Sequence, residues 1–207
     1  MTLNTMQIWR LLVPAGLIIV YGAAAWCILM GRFLQTPDFS KAPYLVGVVV
    51  PAALYYVTPL RTWVNKGQHE RIAENLRAGM VRIAGYEDKP DKYTWANLRS
   101  LFFKLVDDDK SLSTKASIAY FNGLLWTGFA DSMIIAAGYS LVSIGLLYFG
   151  TPHAAIALIS FVTILIVSYF GNKVTTGRQI TIGNEQLEHI RFDHQAAIER
   201  RLNQLDK

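Results

Sequence analysis

Four stretches of this chain are apolar over lengths that match a bilayer, and the charged residues between them gather in two blocks. Leu11 to Met30 is a run of 20 residues without a charge. As a helix it would cover about 30 Å, the thickness of a hydrocarbon core. A secretory signal would have a shorter apolar region and a small-x-small cleavage site. This run instead closes on Met30-Gly31-Arg32, with Trp26 before Cys27, which predicts a retained span. Ala42 to Leu60 is charge-free for 19 residues, with Pro51 near its middle. The proline removes a donor and frees the carbonyl of Gly47, so a second span with a kink near Pro51 is predicted.

Ala154 to Gly171 adds 18 residues rich in Ile, Leu, Val and Phe. Ahead of it, Ala116 to Gly150 is apolar over 35 residues and broken by one acid, Asp131. Ser132 to Gly150 alone would cross a bilayer. The pattern therefore predicts one long helix from near Ser113 to Gly150, with its span at about residues 130–150 and Asp131 at the cytosolic edge. Gly150-Thr151-Pro152-His153 joins it to the last span as a tight turn.

Basic residues set the expected orientation. Residues 61 to 119 hold eleven of the 20 Lys and Arg, and the chain after Gly171 holds six more. The loop from Gly31 to Lys41 carries two, and the turn at Thr151 none. With four spans the two basic blocks fall on one side, so both termini are expected in the cytosol. The fold class is thus an all-α integral membrane protein with four transmembrane helices in two hairpins. It divides into a first hairpin (1–60, spans 11–30 and 42–60), a cytosolic helical loop (61–115), a second hairpin (116–171, spans about 130–150 and 154–171) and a C-terminal cytosolic helix (172–207).

The cytosolic segments are patterned too. Ile72, Leu76, Met80 and Ile83 recur at helical spacing, and that helix should stop at Gly85. Thr94 is a good N-cap for a second helix that shows Trp95, Leu98, Phe102 and Leu105 on one side, with Arg99 and Lys104 elsewhere. Two readings compete for this face: packing within the protein, or an interfacial helix in the lipid headgroups. Between Val174 and Gly183, two glycines and the alternating Gln179-Ile180-Thr181-Ile182 predict irregular or briefly extended chain. A terminal helix is expected from Asn184 as its cap, with Leu187, Ile190, Ile198, Leu202 and Leu205 as a seam broken at His194. The seam fits a partner helix from the central loop or from another subunit.

The 207 residues are 52% hydrophobic, with a mean hydropathy of +0.26, a formal charge of +5 and a pI near 9.3. One cysteine, Cys27, excludes an intrachain disulfide and a cysteine-based metal centre. The central loop holds eleven positive and eight negative residues, which suits proximity to anionic lipid and lacks the dense basic stripe of a nucleic-acid reader. Direct nucleic-acid binding is not expected.

Asp131 is the acid to explain, because an ionisable group in a span is costly. Thr127 precedes it by four, and Gly138 and Gly145 follow at intervals of seven, so one side of the helix is small or polar. Such a side permits close helix approach. Asp131 is therefore either a proton- or cation-binding acid in a pore or helix interface, or a headgroup-level carboxylate bonded to Thr127, Asn122 or a lysine. Trp126, one turn after Asn122, fits an interface anchor. Asp107-Asp108-Asp109 lacks the ligand pattern of a calcium loop and fits a solvated helix junction. Glu185, His189 and Asp193 line one helix face, but a metal would need further groups from elsewhere, so the expectation is a solvated face and no metal or cofactor.

No zinc-protease, phosphate-loop or nucleophile-elbow motif is present. The sequence therefore favours a non-enzymatic subunit of a bacterial inner membrane, in contact with the bilayer and with itself or a cytosolic protein. The alternative is a homo-oligomeric channel or membrane-perturbing effector, and a membrane enzyme is the weakest reading.

Overall fold

A computed structural model describes residues 3–32, 55 and 58–206. Six helices and no strand are found among these residues: α1 (Leu3–Leu29), α2 (Leu60–Ile83), α3 (Trp95–Asp108), α4 (Lys110–Tyr148), α5 (Ala154–Asp193) and α6 (Gln195–Asp206). Three of them, α1, α4 and α5, are long and apolar enough to cross a membrane. The predicted span at 42–60 and its kink at Pro51 lie outside the described residues, apart from Tyr55 and the short stretch from Thr58.

Glycine ends three helices in the same way. At Gly31, Gly85 and Gly150 the backbone turns left-handed, with φ of 63°, 73° and 71°. Each glycine N–H donates to a carbonyl three residues back, and the next N–H donates to one five residues back, as in Thr151 to Leu146 at 2.9 Å. This pair of bonds satisfies the last carbonyls of a helix and requires a positive φ, which glycine adopts without strain. Thr94 caps α3 as expected, its hydroxyl accepting from the Asn97 N–H.

The chain forms two units, each built on part of α4 and α5. The first comprises Met1–Asn65 and Leu124–Lys173. In it α1 runs alongside α4 in the same direction, Val13 lying by Gly128 and Gly22 by Tyr139, while α5 returns antiparallel, pairing Ser168 with Ser132 and Phe161 with Tyr139. Ile18, Tyr21, Ile135, Ala136, Ala157 and Phe161 form its buried cluster. Two glycines allow the helices to approach. A Cβ on Gly171 would lie 2.5 Å from the Phe129 ring, and one on Gly22 would lie 2.9 Å from the Tyr139 hydroxyl.

The second unit comprises Lys66–Gly123 and Val174–Lys207. Its core gathers Leu76 and Met80 of α2, Leu98, Phe102 and Leu105 of α3, Leu112 of α4, Leu187 and Ile190 of α5, and Ile198 and Leu202 of α6. Burying each such side chain stabilises the fold by about 1.5–3 kcal/mol before the entropy of ordering is subtracted. Arg77, itself buried, donates to Glu74, Asp88 and the carbonyl of Tyr93. It ties the loop after α2 back onto that helix.

Residues 174–183 depart from expectation. They are neither irregular nor extended, and Asn184 caps no helix, because α5 continues unbroken to Asp193. The buried residues here are Thr175, Thr176, Ile182, Gly183, Gln186, Leu187 and Ile190, which is the spacing of one helical face. Packing of that face outweighs the roughly 1 kcal/mol that each glycine costs a helix. Gly183 has a positive use, since a Cβ there would lie 3.1 Å from Leu76 of α2. The helix breaks only at His194, where the sequence seam was interrupted.

Candidate functional site

The acid that interrupts the long apolar helix is sealed by two partners. Asp131 is fully buried. The Arg61 guanidinium meets it as a fork, Nε donating to Oδ1 at 2.7 Å and Nη2 donating to Oδ2 at 2.5 Å. The Tyr55 hydroxyl donates to Oδ1 as well, at 2.5 Å. A two-pronged guanidinium–carboxylate pair is among the stronger and more directional contacts available to an acid. Here it neutralises the carboxylate and occupies both of its oxygens.

Local sequence explains how Arg61 arrives there. Pro59 precedes α2, where its missing N–H costs the helix nothing. Arg61 then falls in the first turn of α2, the end where a helix favours negative charge. That placement is offset by Asp131. The Arg61 side chain remains 26% exposed while that of Asp131 is 1% exposed, so the pair closes the acid off on one side and leaves the base partly open.

Beside the pair runs a short chain of hydroxyls. Tyr21, Ser132 and Ser168 are joined in series, each oxygen 2.6 Å from the next. Asn172 donates to the Trp126 carbonyl at 3.1 Å and to Asn65 Oδ1 at 3.3 Å. Polar groups on facing helices that satisfy one another in this way join the helices where apolar packing alone would not fix their register.

The other residues singled out by the sequence separate into distinct environments. Thr127 turns its hydroxyl to the Leu124 carbonyl of its own helix, at 3.1 Å. Asn122 belongs to the second unit, where its Nδ2 donates to the Thr175 carbonyl and to Gln179 Oε1. Trp126 is half-buried. A Cβ on Gly138 or Gly145 meets no described atom within 4 Å, so among the described residues of this unit the closest approaches fall on Gly22 and Gly171. The partners that hold the Asp131 carboxylate thus come from α2 and Tyr55, where the sequence pointed to Thr127, Asn122 or a lysine.

In the second unit Leu98, Phe102, Leu187, Ile198 and Leu202 are core residues. Trp95 is half-buried against the rings of Phe102 and Phe103, and Arg99 and Lys104 are exposed. The apolar faces of α3 and α6 thus meet within the chain. Sequence reading missed Arg61 and Tyr55 as partners of Asp131, although a signal for Arg61 exists. Nineteen charge-free residues, 42–60, precede Arg61, and nineteen, 132–150, lie between Asp131 and the turn at Thr151, so two antiparallel spans of equal apolar length would bring the two charges to one level.

No family model, no curated protein and no solved structure matches this chain.

Proposed function

We propose that the chain is a non-enzymatic membrane subunit, anchored and assembled through its apolar helices, whose polar helical unit engages a cytosolic protein or a second copy. The observation that carries this reading is the state of Asp131. A carboxylate that served conduction or proton transfer would need an oxygen accessible to its ion. Both oxygens are instead taken by Arg61 and Tyr55, which suits a fixed joint between helices. The polar unit supports the reading as well, because its apolar stripes are spent on its own core and it offers partners a charged helical surface that includes Arg99 and Lys104.

The setting proposed is a bacterial inner membrane with four spans and both termini in the cytosol, following the distribution of Lys and Arg. Mass measurement of the detergent-purified chain tests the assembly. A symmetric oligomer or a defined complex is expected, and it should dissociate when residues 66–115 or 184–207 are deleted. A monomer with no stable companion would overturn the reading. A homo-oligomeric channel is the second possibility, favoured by Gly138 and Gly145 on α4, where a Cβ would meet no described atom within 4 Å. It requires ion flux through reconstituted protein that changes in Asp131→Asn.

A further inference from the structure

Outside the Asp131 site, one group of titratable side chains converges from three places in the sequence. Asp109 lies between α3 and α4, His189 sits in the last turns of α5, and His194 is the single residue between α5 and α6. Both histidines turn Nε2 toward the same oxygen, Asp109 Oδ2, each at 3.1 Å. Asp193 Oδ2 lies 3.5 Å from His189 Nε2. The ligand atoms of Asp109, His189 and Asp193 all fall within 4.8 Å of one another. Glu185, which shares the helix face of His189 and Asp193, is not among them.

We propose that this cluster is a binding site for a divalent transition metal, zinc in the first instance, held by Asp109, His189 and Asp193 with His194, which reaches the same Asp109 oxygen, or water completing the set. Three observations lead there. The spacing is the first: bonds of 2.0–2.1 Å from nitrogen and oxygen to zinc place neighbouring ligands of a tetrahedron about 3.3 Å apart. The separations of 3.1 and 3.5 Å bracket that value. Ligand chemistry is the second, since imidazole and carboxylate together suit zinc and its first-row neighbours, whereas calcium and magnesium take oxygen alone.

The third observation is how Asp109 is held. Its Oδ1 accepts from the backbone N–H groups of Ser111 and Leu112, at 2.8 and 3.0 Å, and so caps α4. The cap fixes Oδ2 in direction, which is the outer support that metal-binding carboxylates receive in built sites. Side chains of Asp109, His189 and His194 remain about one-fifth to one-quarter exposed, at 19%, 26% and 25%, and that of Asp193 about half, so an ion can reach them from solution. Bound there, it would clamp the start of α4 to the end of α5 and the start of α6. That clamp would explain why the long α5 helix breaks at His194 and not at any of its three glycines.

The test uses the full chain in detergent, stripped with a chelator and titrated with Zn²⁺ alone against a chromophoric competitor. One zinc per chain with a dissociation constant tighter than about 10 µM is expected, together with a rise in the melting midpoint of the loaded protein. In His189→Gln and His194→Gln the affinity should fall at least tenfold, with far-ultraviolet circular dichroism unchanged. Co²⁺ bound to the wild-type chain provides a reading that needs no variant, since nitrogen and oxygen ligation at low coordination number gives visible d–d bands. Weaker zinc binding, unaltered affinity in the double variant, or cobalt with only the spectrum of the aquo ion would each overturn the site. They would leave two imidazole N–H groups shared by one carboxylate oxygen. Zinc stoichiometry is read on the chain whatever it assembles with, so this result is separable from the test of the proposed function.

Discussion

Arg61 closes over Asp131 with two parallel nitrogen–oxygen contacts, although seventy positions of sequence separate them. The pair joins the first turn of α2 to the interior of α4. It turns the most conspicuous defect in the apolar pattern into a fixed contact.

Breaking that pair from one side should cost more than removing it whole. Asp131→Leu strands a partly buried guanidinium, and Arg61→Met strands a buried carboxylate, so each is expected to destabilise the protein by about 3 kcal/mol. The double variant, with two apolar side chains facing each other, should recover at least half of that loss. Unfolding in mixed micelles measures all four corners of the cycle. Additive losses would mean that the two residues act independently.

Gly171 should reject even a methyl group. In Gly171→Ala the new Cβ would sit 2.5 Å from Cε1 of Phe129, and relieving that overlap is expected to cost about 1–3 kcal/mol. The gain in helix propensity from Gly to Ala offsets up to about 1 kcal/mol of it. Trimming the ring with Phe129→Leu makes room, so this second substitution should be less harmful when combined with Gly171→Ala than alone. Thermal midpoints of the four proteins decide the matter.

The buried Arg77 predicts an acid limb. Its guanidinium, hydrogen-bonded to both, holds the carboxyls of Glu74 and Asp88 below the usual range. A depressed carboxyl adds stability that is complete above its unfolded value of about 4 and is lost as pH falls through the folded value. Stability of the second unit should therefore decline below about pH 4–5, and Arg77→Met should flatten that decline while costing about 2 kcal/mol at neutral pH. A pH series of melting curves for both proteins is the measurement. Parallel acid limbs would contradict the assignment.

At the other end of the scale, Tyr93 donates to Asp206 Oδ1 at 2.7 Å. That bond, first among the causes, pushes the phenol up to about 12. A raised phenol contributes stability that is present below its unfolded value of about 10 and fades as pH rises through the folded value. Between about pH 10 and 12 the wild-type chain should lose stability that Tyr93→Phe has already lost at neutral pH. The two melting curves should converge over that interval. A constant gap would show that the phenol plays no part.

Much of this fold is written locally. Gly31, Gly85 and Gly150 end helices because left-handed backbone is open to glycine and costly for other residues, and Thr94 starts one because its hydroxyl reaches a free N–H. The long uncharged runs of α1, α4 and α5 follow from composition alone, and the stripes Leu76–Met80 and Leu98–Phe102–Leu105 follow from helical period. These features depend on neighbours within a few positions, so the sequence by itself determined them. Tertiary structure decided the rest. Whether residues 174–183 form a helix turned on the burial of Ile182 and the packing of Gly183 against α2, which no local propensity encodes. The pairing of Arg61 with Asp131, and the meeting of Asp109 with His189 and His194, arise between positions seventy or more apart. Only the way helices pack brings such residues to a common point, where the fork of a guanidinium matches the two oxygens of a carboxylate.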